Sequence, residues 1–97
     1  MLKRQGDILV TRVEKIPVGS VKIDTLTLAV GEALDHEHKL NLGEIFEKDG
    51  TLYFKVPEGK VANLVHPEHR SLSFEPGIYQ VTQQREFQPK GWRHVSD

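Results

Sequence analysis

Apolar and polar residues alternate along this chain in short runs, separated by glycine, proline and aspartate. Residues 7–13, Asp-Ile-Leu-Val-Thr-Arg-Val, are rich in β-branched side chains, open at Gly6-Asp7 and close near Pro17 and Gly19. That composition predicts a first strand. Over residues 21–30 the apolar positions are Val21, Ile23, Leu26, Leu28 and Val30, a period of two with one slip between Ile23 and Leu26. A turn or bulge near Asp24-Thr25 accounts for the slip. Residues 33–42 follow Gly31 as another extended segment, and a helix over 25–40 is the competing reading of this stretch.

Two further apolar runs, residues 44–48 and 51–56, flank Asp49-Gly50. A two-residue Asp-Gly loop between such runs is the strongest short-range signal for a β-hairpin. Residues 57–60, Pro-Glu-Gly-Lys, make the next turn, and 61–65 lead on as a strand. Residues 70–74 alternate strictly, Glu75-Pro76-Gly77 turns, and 78–87 read as the last strand. On that strand Gln80, Thr82 and Gln84 form one face and Tyr79, Val81 and Gln83 the other. The tail over 88–97 holds Pro89 and Gly91 with little periodicity, and reads as an ordered flap or a frayed end. Seven or eight short strands at even spacing predict an all-β domain, a small antiparallel barrel or sandwich with the Asp49-Gly50 hairpin at its centre. Strand edges and polar strand faces in so small a domain make a homo-oligomer the expected assembly.

Length adds that the 97 residues form one domain, 1–97, large enough to bury a core. Charge removes some partners. Thirteen basic and 14 acidic residues leave a net charge of -1, with no footprint for general binding to nucleic acid or an anionic membrane. The absence of cysteine excludes disulfides, thiolate metal ligands and a cysteine nucleophile. No run is apolar enough for a signal peptide or a membrane span, so the expected location is the cytoplasm. A phosphate-binding glycine loop and a serine-nucleophile motif are absent too.

Chemistry concentrates in histidine. Four of the five histidines fall in two clusters, His36 with His38 and His66 with His69. Neutral imidazole is the commonest metal ligand and a proton carrier near neutral pH. Residues two apart on a strand share a face, so His36 and His38 present their rings side by side. Pro67 holds His66 extended and places the second pair at a strand end or tight turn. The intervening turns let the pairs converge on one site. Imidazole and carboxylate without sulfur suit zinc, iron, nickel or manganese, with Glu32, Glu44 and Glu68 as candidate carboxylates. Glu68, inside the second pair, is the first candidate for a general base. One reading is therefore a metal-dependent hydrolase or oxygenase with His36, His38, His66 and His69 as ligands. The alternative is a module that captures a small anionic or nucleotide ligand without chemistry, using the histidines and Arg70 as donors. Trp92, Arg93 and His94 add a segment able to stack on a base or fold back onto the core.

Several of these residues also carry a resemblance. Gln5-Gly6-Asp7-Ile8-Leu9, Gly31-Glu32 with His36-x-His38, His66-Pro67-Glu68-His69, Pro76-Gly77-x-Tyr79-x-Val81 and Arg85-Glu86-Phe87 resemble a family of small bacterial and phage proteins. The resemblance spans nearly the whole chain and implies no particular activity. A weaker similarity is to cupins, in whose first motif a glycine, a His-x-His, a glutamate and a glycine follow in the order of Gly31, His36, His38, Glu44 and Gly50. That similarity implies a metal on the histidines. The second cupin motif is not present, since Pro76 and Gly77 are adjacent and follow the histidines.

Overall fold

A computed structural model describes residues 1–30 and 37–83. They form ten strands: β1 (Leu2–Gln5), β2 (Ile8–Val13), β3 (Val21–Ile23), β4 (Thr27–Val30), β5 (Glu37–Leu40), β6 (Glu44–Lys48), β7 (Thr51–Val56), β8 (Ala62–His66), β9 (His69–Phe74) and β10 (Gly77–Gln83). A six-stranded sheet runs β1-β2-β10-β7-β6-β3, and a four-stranded sheet runs β4-β5-β8-β9, with every pairing antiparallel. The architecture is a sandwich and not a closed barrel. Among the described residues no helix is long and apolar enough to cross a membrane.

Among the described residues the chain changes sheets four times, at 24–26, 41–43, 57–61 and 75–76. The slip between Ile23 and Leu26 is the first of these passages: Ile23 ends a strand of the larger sheet, and Thr27 opens a strand of the smaller one. Residues 27–30 and 37–40 are strands and 25–26 are not helical, so the helical reading of 25–40 fails on them, and 31–36 lie outside the described residues. The passage at 41–43 is tied down by Asn41, whose N–H donates to the Asn63 carbonyl and whose Oδ1 accepts from the Asn63 N–H. At 75–76 the Tyr79 hydroxyl donates to the Glu75 carbonyl at 2.6 Å. It satisfies a buried phenol while fixing the corner, as tyrosine corners do in other sandwiches.

Alternation along each strand puts one set of side chains between the sheets. Ile8, Val10, Ile45, Phe54, Val56, Tyr79 and Val81 face inward from the larger sheet, and Leu28, Leu40, Ala62, Leu64 and Phe74 from the smaller. Phe54, Phe74 and Tyr79 form an aromatic centre with ring centroids 4.9 to 5.3 Å apart. The Asp49-Gly50 hairpin joins β6 to β7, with both turn residues at positive φ, as a primed two-residue turn requires. Its second strand, β7, lies next to β10 in the middle of the larger sheet.

The sequence pattern overlooks β1. Leu2–Gln5 carries one apolar residue, and its inward-facing position is a glutamine. A glycine followed by aspartate is itself a hairpin signal, and Gly6, at φ +60°, turns β1 back onto β2. At the edge of the larger sheet β1 also lies against β9 of the smaller one, where the Lys3 ammonium donates to the Ser73 carbonyl.

Candidate functional site

On β5, His38 and Leu40 share the inward face; on β8, Ala62, Leu64 and His66 do. The two histidines thus occupy positions that continue the hydrophobic core toward one end of the sandwich. His38 is 2 % exposed and His66 8 %. Across the Pro67-Glu68 turn His66 pairs with His69, which is exposed. A register shift between Leu64 and His66 precedes this turn. The three rings meet: centroids are 4.3 Å apart for His38 and His66, 4.5 Å for His66 and His69, and 6.3 Å for His38 and His69.

Gly6 closes over them. A Cβ at this position would stand 2.8 Å from Nε2 of His69 and 3.3 Å from Cε1 of His38. Only glycine fits both that space and the positive φ. The β1–β2 turn therefore roofs the cluster, and its flanking residues enter the site. Gln5, 3 % exposed, donates from Nε2 to the carbonyls of Leu64 and Arg70, each at 2.9 Å. A flipped amide would set Oε1 against two carbonyl oxygens, so the orientation is fixed by the backbone. Gln5 Oε1 then accepts from Nδ1 of His38 at 2.9 Å. In its neutral form His38 accordingly carries its proton on Nδ1 and a lone pair on Nε2.

That Nε2 faces Oδ1 of Asp7 at 3.5 Å. The other Asp7 oxygen, Oδ2, accepts from Nε2 of Gln83 at 3.0 Å. Burial lowers the His38 pKa below its ordinary 6.5, and the nearby charges of His66 and His69 act the same way against the opposing pull of Asp7. His66 has the complementary tautomer: its Nδ1 accepts from the Glu68 backbone N–H at 3.0 Å, so the neutral ring bears its proton on Nε2. The cluster offers an acceptor nitrogen, a carboxylate oxygen and a donor nitrogen within one small volume.

Of the residues singled out in the sequence, the structure brings together His38, His66 and His69. His36 and Glu32 lie outside the described residues, as do Trp92, Arg93 and His94. Glu68 is exposed in the turn and reaches His66 through its backbone N–H. The carboxylate set against an imidazole is that of Asp7. Arg70 contributes its carbonyl to the Gln5 amide, while the residue itself is exposed. Glu44 is exposed and pairs with Lys22 at 3.4 Å. Among the described residues, no three His, Asp, Glu or Cys side chains are placed to hold one metal ion. An open groove of about 780 Å³ on the smaller sheet, against Lys39, Val65 and Pro67, is lined by His66 alone of the three imidazoles.

Gln5, Asp7 and Gln83 are the site residues that reading the sequence for histidine spacing does not reach. Asp7 reads there as the start of a strand. The one signal available for them is the Gly6-Asp7 dipeptide, a turn that has to pack somewhere. Over residues 4–84 the chain matches the model of a family described as a domain of unknown function, DUF8820. No curated protein and no solved structure matches it.

Proposed function

The chain belongs to the DUF8820 family, and since no activity comes with that membership, we propose from the site alone that this domain binds an ion or small polar ligand at the cluster of His38, His66, His69 and Asp7. One observation carries the reading. Imidazoles and an amide occupy inward positions of a sandwich that elsewhere takes Leu, Ile, Val and Phe. Burying such groups stabilises less than burying hydrocarbon of the same volume, so their presence favours a role other than stability. Both buried histidines are held by the protein through Nδ1, that of His38 by the Gln5 side chain and that of His66 by the Glu68 backbone N–H, as groups fixed in orientation for a ligand are.

The arrangement supports binding first. Catalysis as a metal-dependent hydrolase or oxygenase is a second reading, favoured by the Asp7 side chain being 43 % exposed beside a buried imidazole, which leaves one side of the pair open to solvent. Capture of an anionic or nucleotide ligand would instead draw on the donor nitrogen of His66 and on His69. The test is a ¹H–¹⁵N NMR titration of the native protein with zinc chloride, manganese chloride, inorganic phosphate and a nucleoside monophosphate. Shifts centred on residues 5–7, 38, 66 and 69 with at least one of these are expected. Shifts absent throughout, or centred elsewhere, would remove the reading.

A further inference from the structure

Whatever the cluster binds, we infer that it is also an acid-operated latch on the edge strand β1: neutral rings hold β1 and its Gly6-Asp7 turn against the smaller sheet, and charging more than one ring releases them. Bonds that tie this strand down crowd around the imidazoles. Gln5 donates to the carbonyls of Leu64 on β8 and Arg70 on β9, and its Oε1 takes the Nδ1 proton of His38. Asp7 forms the ion pair with His38 Nε2 at 3.5 Å. Farther along β1 the Lys3 ammonium donates to the Ser73 carbonyl. Gly6 rests on the rings themselves, where a Cβ would meet His69 and His38. A change in the charge or spacing of the rings is felt first at this turn.

The charges around the rings are unevenly matched. Centroid separations of 4.3 and 4.5 Å set His66 against both other rings, and two imidazolium charges that close, shielded from water, repel strongly. Asp7 supplies one negative charge, enough for one imidazolium. Glu37 and Lys39 lie on the face of β5 opposite His38, and Arg4 on the face of β1 opposite Gln5. Glu68 in the β8–β9 turn and Arg70 on β9 are exposed, so water screens them. β10 brings Gln83, a neutral group, to Asp7. Burial and the charges of His66 and His69 resist a proton on His38, while Asp7 favours it. Releasing β1 returns the rings to water and removes the resistance. Opening therefore takes up protons, and acid drives it. It uncovers the cluster and frees the carbonyls of Arg70 and Ser73 on β9, the edge strand of the smaller sheet.

Amide hydrogen exchange on the full chain, followed by NMR across about pH 5–8, where imidazole titrates, and corrected for intrinsic exchange, reads this opening. Amides bonded between β1 and β2 are expected to open more often as the pH falls, by up to about tenfold per pH unit for each proton taken up. They should respond little to low urea, because freeing a four-residue strand exposes little surface. Amides of β7 and β10 should exchange more slowly at every pH and respond to urea as the whole fold does. Two variants shift the profile in opposite directions. His69→Gln, at an exposed position, removes an opposing charge and should move the onset of opening to lower pH. Asp7→Asn removes the balancing charge and should move it to higher pH. Opening that is independent of pH in the native chain, that follows urea as the β7 and β10 amides do, or that keeps its pH profile in both variants would overturn the latch.

Discussion

Gly6 and Gly50 sit in the same kind of place, a two-residue turn at positive φ, with values of +60° and +82°. Their surroundings separate them. Nothing lies within 4 Å of a Cβ built on Gly50, whereas one on Gly6 meets His69 and His38. Gly50→Ala should therefore cost only the left-handed backbone, about 1–2 kcal/mol. Gly6→Ala adds the displacement of two imidazoles, and overpacking of that kind costs typically about 1–3 kcal/mol more. Urea unfolding of both variants measures the difference, and NMR shows whether the His38 and His69 resonances move in Gly6→Ala alone. Equal losses, with the imidazoles undisturbed in both, would mean that Gly6 serves the turn and not the cluster.

Three hairpins set the elements that matter, and they differ in how they turn. Asp49-Gly50 turns with both residues at positive φ and Gly6-Asp7 with Gly6 alone, but neither Pro67 nor Glu68 is at positive φ, so the β8–β9 turn relies on the fixed φ of proline at its first central position. Pro67→Ala keeps the geometry available while enlarging the unfolded ensemble, and should cost roughly 0.4–1 kcal/mol. It should also loosen the pairing of His66 with His69, which amide hydrogen exchange at residues 66–69 would detect; unchanged exchange there would argue that the Glu68-to-His66 hydrogen bond alone holds the turn. The hairpin at 49–50, a strand end or tight turn at 66–69, the strict alternation of 70–74 and the all-β class were legible because each rests on local turn chemistry or a period of two. The change of sheet at 24–26 was legible only as a slip, since alternation does not say which sheet a strand joins. β1 was not legible, because its inward residue is Gln5, chosen for hydrogen bonds that come from residues 64, 70 and 38. For the same reason the histidines could be singled out and their partners could not: spacing along a strand marks His38 and His66, but Asp7 and Gln83 reach the site through the pairing of β2 with β1 and β10.

At the scale of the whole sandwich, two buried titratable groups in different parts of the fold bound the pH range of full stability from opposite sides. His38, at the end of the core, has its pKa lowered from 6.5, chiefly by burial. Below pH 6.5 the unfolded chain takes up this proton and the folded chain resists it, so ν_U exceeds ν_N and stability falls as the pH drops toward the folded value. Tyr79, in the aromatic centre, has its pKa raised from 10.0, again chiefly by burial, with Arg12 opposing and Glu75 adding to the shift. Above pH 10 the unfolded chain loses the phenolic proton first, ν_U falls below ν_N, and stability declines as the pH rises toward the folded value. Stability at its full level is expected between these limits. Urea unfolding across pH, on the native chain and on His38→Gln and Tyr79→Phe, separates the two sides. His38→Gln should flatten the slope just below pH 6.5 and leave the alkaline side alone; Tyr79→Phe should do the reverse, while lowering the plateau by about 1 kcal/mol for the lost bond to the Glu75 carbonyl. An acid slope in this window that survives in His38→Gln would locate it in other groups.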